Sequence, residues 1–470
     1  MLAQRPSFRV IVTAGAVASL ILFTFLLFLG RGPRDISSKY VLKTPYKPVK
    51  EKPTKECPSP APVHNETWQF QTERDALNYG LSEEQCLSAF PKLFLEIDKS
   101  VAQRQQHITF AELESRTVED NQARVIVHKG EVYIVEFGEM TNTASRARAT
   151  LLALQRALEA VPDRHLLPSI EFFFTASDWP HDPESGPPIF SYTKRDAHNA
   201  TWLMPDFGYY SWPEASISTY NEARRRMIEI DEGEINADGT RSPGLAFQDK
   251  KKQLIWRGNV DTNKEIRGKL LEASQGQSWA SVHHFVWGKD EVLPLEDHCR
   301  YMFAAQTEGH TYSGRGKYLL NCRMVLVAHS MIWREAHHAA MIASGPEANY
   351  VEVGTDYSDL PRKMEFLIDN PEVAQRIADN AVRTFRDRYI TPAAEACYWR
   401  HLIRKYASVC DFKPSLTQIK DGKKVPRATH LEDWLLLKTM MKTDTQQKKK
   451  VENIKTENTK TENTQNKEQT

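Results

Sequence analysis

The sequence predicts an α/β protein, two strand-and-helix layers facing across a cleft behind an N-terminal membrane helix. Three observations predict it. Val10–Leu29 (VIVTAGAVASLILFTFLLFL) is uncharged and mostly apolar, and as a helix it would span roughly 30 Å, the thickness of a bilayer core. The amphipathic stretch Ala144–Ala160 is followed, after a turn, by the apolar run Ser169–Ala176 (SIEFFFTA), a helix feeding a buried strand as in a parallel α/β layer. Further on, Gln253–Trp256 runs through a short loop into a helical stretch, Lys264–Ala273, and Met324–Ala328 (MVLVA) reads as another buried strand.

The chain has 470 residues, enough for two or three domains, and its net charge of +1 gives no electrostatic footprint for nucleic acid. The apolar run at the start exceeds the usual length of about 7–15 residues for a signal peptide, and no A-x-A site follows it, so it reads as a retained anchor. Residues 1–9 are then a cytoplasmic tail and 10–29 the anchor. Arg31, Arg34, Lys39 and Lys43 follow the span and outnumber Arg5 and Arg9 before it, which alone would favour a cytoplasmic main region. Two sequons, at Asn65 and Asn199, argue for a lumenal one, as do six cysteines without a CxxC pair. The lumenal reading is preferred: a single-pass type II protein. The final ENTQNKEQT carries no KDEL-type signal, which favours the Golgi over the endoplasmic reticulum.

Residues 30–67 are rich in Lys and Pro and form an extended stem. Trp68–Val101 looks helical, with Ser82 and Gln85 as a capping box. Ala123–Phe137 is a hairpin about Lys129-Gly130. Ser177–Ala215, dense in Pro and aromatics, carries little regular structure; it follows a strand end, where ligand loops sit, and begins with Asp178. Tyr220–Glu232 is a charged helix whose Arg224, Arg225 and Arg226 form a solvated face. Later strands are Ser281–Val286 and Tyr350–Val353, and later helices Asp359–Asn370, Pro371–Arg388 and Ala393–Val409. The two layers part near residues 233–252, giving domains at 68–240 and 241–412. Residues 413–470 turn polar and end in tandem KTENT repeats, a largely disordered tail.

The densest chemistry lies in Glu296–Cys322 (EDHCRYMFAAQTEGHTYSGRGKYLLNC). Three glycines in Gly309–Lys317 let the backbone approach a ligand, Arg315 and Lys317 supply positive charge, and Thr311 and Ser313 supply hydroxyls. The following YLLNC has helical character, which would place the loop at an anion-binding helix N-terminus. Arg257, Asn259, Arg267 and this loop would face Asp178 and the aromatic segment across the cleft, a setting for a nucleotide donor and an acceptor.

These residues resemble a known family. Asp178-Trp179-Pro180, the run Pro188–Lys194, Trp212-Pro213, Trp256–Asn259, Asp297–Cys299, the Gly309–Lys317 loop and Cys397-Tyr398-Trp399 occur in the order found in the CAP10-type glycosyltransferases, which include fungal capsule-associated proteins and animal protein O-glucosyltransferases (glycosyltransferase family 90). The resemblance covers roughly residues 172–409. It implies a GT-B-like fold of two Rossmann-like domains, and transfer of glucose or xylose from a UDP-sugar to a hydroxyl of a glycan or protein, with inversion and without a metal or other cofactor. The absence of a DxD motif agrees. Asp178 would be the general base, although Thr175, Ala176 and Ser177 stand where relatives often carry Asn and Arg. Asn259, Arg267, His310, Thr311, Tyr312, Ser313, Gly314 and Arg315 would bind the donor, and Tyr210 and Trp212 would touch sugar or acceptor. The resemblance also implies a Cys299–Cys322 disulfide and pairs Cys397 with an upstream cysteine, taken as Cys86; Cys57 and Cys410 stay unassigned. The alternative is a membrane-anchored, inactive sugar-binding protein of the same fold. A metal hydrolase using Glu335, His337 and His338, or His283 and His284, lacks an HExxH motif, and adjacent histidines should point to different sides.

Overall fold

A computed structural model describes residues 68–180, 186–286 and 288–437. The expected anchor, the stem, Asn65, Cys57 and the chain from residue 438, with its repeats, lie outside the described residues. Among the described residues no helix is long and apolar enough to cross a membrane.

The described residues build two large sheets and two two-stranded ribbons. In the first, β1 (Gln122–His128) and β2 (Glu131–Phe137) form the expected hairpin. Its turn places Lys129 at φ 52° and Gly130 at φ 76°, and a Cβ on Gly130 would lie 2.6 Å from the Arg164 carbonyl oxygen. β3 (Ile170–Thr175) runs antiparallel to β1, with Phe172 opposite Val125. β4 (Ile189–Ser191) and β5 (Thr201–Leu203) add to it in parallel. The layer is therefore mixed. The segment expected to lack regular structure contributes two of its strands, each only three residues long and fully buried. Such strands are too short for a periodic signal. β6 (Ser211–Trp212) and β7 (Ile217–Thr219) make a small separate ribbon.

The second sheet is wholly parallel, in the order β12-β11-β10-β8-β9: β8 (Lys251–Gly258), β9 (Ala280–His284), β10 (Tyr301–Gln306), β11 (Val325–His329) and β12 (Val351–Val353). β10 was not expected. YMFAAQ has no β-branched residue, and only its continuous burial between parallel neighbours makes it a strand. After β8 the chain moves to β9 on one side and then to β10 on the other. The carboxyl ends of β8 and β10 thus flank the point where strand order reverses, the ligand crevice of open α/β sheets.

The capping box at Ser82 and Gln85 is present. The helix expected over Pro371–Arg388 is α-helical to Ala381 and widens to a π-helix over Val382–Tyr389. Arg225 and Arg226 are exposed and pair with Glu222, but Arg224 is buried and donates to the Arg386 carbonyl at 2.7 Å. Two further departures concern the C-terminal part. The helix Pro392–Ser408 packs on the helix Ala144–Glu159 and the first sheet: Tyr406 meets Phe190 and Trp202 edge-on, and Tyr398 donates to the Leu203 carbonyl at 3.0 Å. Residues 413–437, expected to begin a disordered tail, form β13 (Thr417–Lys420), β14 (Lys423–Pro426) and β15 (Thr429–His430). β15 extends the first sheet beside β2, and Leu431 and Trp434 are buried, the latter against Phe137 at 4.5 Å. Two apolar anchors within a polar stretch carry that order, which average polarity hides.

Candidate functional site

β8 ends in Arg257-Gly258, and Asn259 then caps a short turn by accepting from the Asp261 amide at 2.8 Å. Asn263 caps the next helix, Lys264–Ser274, and Arg267 projects back from its first turns. The loop after β10 brings Ser313 and Arg315 to the same place. These elements enclose a cavity of about 600 Å³, lined by Trp212, Arg257, Gly258, Asn259, Thr262, Arg267, Phe285, the apolar run 292–295, His298, Ser313 and Arg315.

Arg226 and Glu296 also line it and pair with each other at 3.3 Å, whereas the charge of the other three arginines is uncompensated. Arg267 donates to the carbonyls of Asn259 at 2.7 Å and Glu308 at 3.0 Å, and to the Thr262 hydroxyl. Arg257 donates to the Trp256 carbonyl at 2.9 Å, the Ser281 carbonyl and the Ser281 hydroxyl at 3.1 Å. Arg315 donates to the Arg257 carbonyl. Among the described residues, none of the three forms an ion pair with a carboxylate. Arg267 and Arg315 also stand over the face of the fully buried Trp256, at 5.7 and 5.9 Å. Burial, then the charges of Arg267 and Arg257, push the Arg315 guanidinium down to about 9; burial brings Arg267 down to about 10 and lowers Arg257. Three desolvated guanidiniums around an open cavity, one of them lowered further by the charges of the other two, are matched to an anion with more than one charge.

The loop is fastened from behind. The expected anion-binding helix N-terminus is a helix of only four residues, Gly316–Leu319, too short for a sustained dipole, so the arginines are the charge in this wall. Lys317 does not face the cavity. It is fully buried, paired with Asp206, and donates to the Gly314 carbonyl at 2.8 Å. Tyr312 is buried, with its hydroxyl on the same Asp206, and Gln306 donates to the Ser313 carbonyl at 2.9 Å. Gly314 packs near Trp212, His310 is exposed, and the buried Thr311 turns away. Of the eight expected donor residues, Asn259, Arg267, Ser313 and Arg315 line the cavity; His310, Thr311, Tyr312 and Gly314 do not.

Asp178 lies three residues past β3 and outside that lining. Its Oδ1 accepts from Arg146 at 2.8 Å, its side chain is 38% exposed, and its backbone carbonyl accepts from the Thr311 hydroxyl at 2.7 Å. The Asp178 loop and the cationic loop are thus directly joined. Beside Asp178, the half-exposed Trp179 meets Trp333 edge-on at 5.7 Å, and Arg195 covers the other ring at 4.4 Å. Trp212 reaches the cavity, but Tyr210 does not. Its backbone, at φ −102° and ψ −63°, breaks the strand alternation, and the ring lies under Arg156 at 5.1 Å in a separate recess with Leu431 and Leu435.

Sequence reasoning missed Arg146, Asp206 and Thr262 and gave His298 no role. Arg146 lies on a helix read only for its apolar face, and Asp206 in a segment read as loop. Both expected disulfides, Cys86–Cys397 and Cys299–Cys322, are present; the latter closes the segment that carries the cationic loop. Among the described residues Cys410 has no disulfide partner, and burial pushes its thiol up to about 12. Asn199 is exposed in a turn. His337 and His338 do not diverge as expected: their ring centroids are 4.7 Å apart, and with Glu335 their ligand atoms fall within 4.8 Å. All three are buried outside the cavity, and Glu335 lies 3.3 Å from His338.

The family model of Glycosyl transferase family 90 matches residues 83–468. The chain is 27% identical over 312 residues to Protein O-glucosyltransferase 2 of Danio rerio, covering 63% of this chain and 57% of the relative. It is 24% identical over 269 residues to an O-glucosyltransferase rumi homolog of Aedes aegypti (54% and 64%), and 22% identical over 267 residues to Protein O-glucosyltransferase 1 of Homo sapiens (52% and 64%). The match thus spans less than two thirds of these relatives' length. The parallel sheet with its cationic crevice, the two disulfides and the family match over most of the chain agree: the protein belongs to glycosyl transferase family 90.

Proposed function

We propose that the protein is a glycosyltransferase that moves glucose or xylose from a UDP-sugar to a hydroxyl of a protein or glycan. One observation carries the reading: three guanidiniums with no carboxylate partner among the described residues, Arg257, Arg267 and Arg315, line one cavity at the strand-order reversal of a parallel sheet. A diphosphate supplies the missing negative charge. The names of the relatives support a protein acceptor.

In this reading Asp178 takes the proton of the acceptor hydroxyl as its oxygen attacks the anomeric carbon. The bond from that carbon to the diphosphate oxygen breaks on the opposite face, inverting the centre, and UDP departs with the electron pair. The arginines stabilise the charge that develops on the leaving group, in the role a metal ion takes elsewhere. Arg146 holds one carboxylate oxygen of Asp178, leaving the other for the acceptor. The GT-B arrangement and the type II, lumenal Golgi placement belong to the same proposal, supported by two disulfides and the exposed Asn199 sequon.

The test is UDP release from UDP-glucose and UDP-xylose, with and without EDTA, beside Asp178→Asn. Turnover that survives EDTA and falls by about 10²–10⁴ in the variant, with donor affinity kept, is expected. Donor binding without turnover in either protein would move the reading to a sugar-binding protein.

A further inference from the structure

His298 takes no part in the chemistry set out above, yet it is built into the cavity. It is 3% exposed and lies on the turn Glu296–Arg300, next to the disulfide-bonded Cys299. Its Nδ1 is 3.3 Å from the Pro294 carbonyl oxygen, so Nδ1 carries the hydrogen and donates it. Its Nε2 is buried and, among the described residues, has no partner. Burial above all, then the Arg315 charge, brings the imidazole down to about 4, so it is neutral at physiological pH. A neutral imidazole protonated at Nδ1 presents a lone pair at Nε2: it accepts and cannot donate.

The cavity lining divides chemically. Arg257, Arg267 and Arg315 are cationic, whereas Phe285, Leu293, Pro294 and Leu295 are apolar. His298 sits where the two parts meet: it is bonded to Pro294 on the apolar side and feels the charges of Arg315 and Arg257 on the other, so an uncharged portion of a ligand next to its charged portion would lie there. A buried acceptor left empty there costs free energy unless a ligand fills it.

We propose that His298 is a specificity-determining residue whose Nε2 accepts a hydrogen bond from an uncharged N–H or O–H group of the donor nucleotide. This rests on the donor-site reading above. The group is either on the nucleoside, as the imide N–H of uracil or a ribose hydroxyl, or on the transferred sugar.

The experiment is calorimetric titration of the purified chain with UDP, UDP-glucose and UDP-xylose, in the wild type, His298→Leu and His298→Gln. Leu removes the acceptor, and Gln returns an amide oxygen at similar reach. The Leu variant should bind about ten- to a hundredfold more weakly, and the Gln variant within about threefold of the wild type. Equal losses for UDP and the UDP-sugars place the donating group on the nucleoside, and a loss for the UDP-sugars alone places it on the sugar. A Leu variant that binds like the wild type overturns the assignment and leaves the donor reading standing. A folded Gln variant as weak as the Leu variant also overturns it. A wild type that binds none of the three overturns the donor reading and this inference with it. If His298→Leu does not fold, the nitrogen NMR signal of Nε2 in the wild type must move when UDP-glucose or UDP-xylose is added, and a signal fixed in the presence of both bound UDP-sugars refutes the contact.

Discussion

Arg315→Met should abolish donor binding without weakening the fold. The folded protein holds the Arg315 pKa at about 9, well below its ordinary range, because the guanidinium is desolvated beside Arg267 and Arg257. At about 1.4 kcal/mol for each pKa unit, this caps the cost of its charge at about 5 kcal/mol. Arg315 is half-buried and borders an open cavity, so solvent screening lowers the realised cost to about 2 kcal/mol. The lost hydrogen bond to the Arg257 carbonyl offsets about 1 kcal/mol of that relief, and Met keeps the packing of the arginine stem. The ligand-free variant should therefore melt at the wild-type temperature or up to about 3 °C above it. With UDP at about a hundred times its Kd, the wild type should gain about 2.7 kcal/mol and the variant nearly nothing. The assay is a thermal melt followed by circular dichroism, with and without UDP. A ligand-free melting temperature about 5 °C or more below the wild type, with the UDP-induced rise intact, would refute the reasoning: Arg315 would then be a structural residue.

Three further outcomes follow from the surroundings of the cavity. Lys317→Met leaves the Asp206 carboxylate buried without its cation and should cost about 3–5 kcal/mol in urea unfolding, most of it recovered in the double variant with Asp206→Asn; a cost near zero for the single variant would show that the pair does not fasten the loop. Gly258→Ala would place a Cβ 2.5 Å from Cζ2 of Trp256, the ring that supports Arg267 and Arg315, so UDP affinity should fall about tenfold while stability drops by about 1–3 kcal/mol; unchanged affinity would mean that the ring does not set the arginines. Burial above all pushes Glu395 up to about 7, against the opposing pull of Arg156. A carboxyl whose folded pKa lies above its unfolded value binds more protons when folded, so its ionisation costs stability as pH rises from about 4.5 to 7, by at most about 3 kcal/mol. Glu395→Gln should then match the wild type at pH 4 and exceed it at pH 7, and a difference that does not grow with pH would contradict the assignment.

Much of the second layer was legible because its strands are continuous apolar runs. Gln253–Trp256 and Met324–Ala328 announce themselves, and the loops that follow parallel strands are where ligands gather. The four cavity residues expected from the family motif lie there. His310, Thr311, Tyr312 and Gly314 do not, since a loop must spend part of its length on its own support. The anchors of Tyr312 and Lys317 converge on Asp206, more than a hundred residues earlier, and no local pattern reports such a partner. The strands β4 and β5 were hidden for a related reason: three buried residues between prolines and turns have no period to read. Arg146 was concealed by its helix, because amphipathicity describes the face that packs and not the single cation at its rim.

Arg400 sits near the far end of the chain and is 2% exposed, yet it donates to the carbonyls of Tyr79, Leu81 and Ala157 at 2.7–2.9 Å, while Cys397, one turn earlier, is covalently joined to Cys86 across 311 residues. Sheet strands near the start of the described chain thus find their covering helix only after most of the polypeptide exists. On a ribosome, the first layer cannot close until residues beyond 397 have emerged, so its apolar faces wait, exposed, for the length of the second layer's synthesis. The protein divides in space into two sheets but not in time into two folding units. A version cut at the boundary between the layers would release an N-terminal piece lacking one wall of its own core, recognisable as an insoluble product, whereas the uncut chain supplies that wall from the helix that carries Cys397 and Arg400.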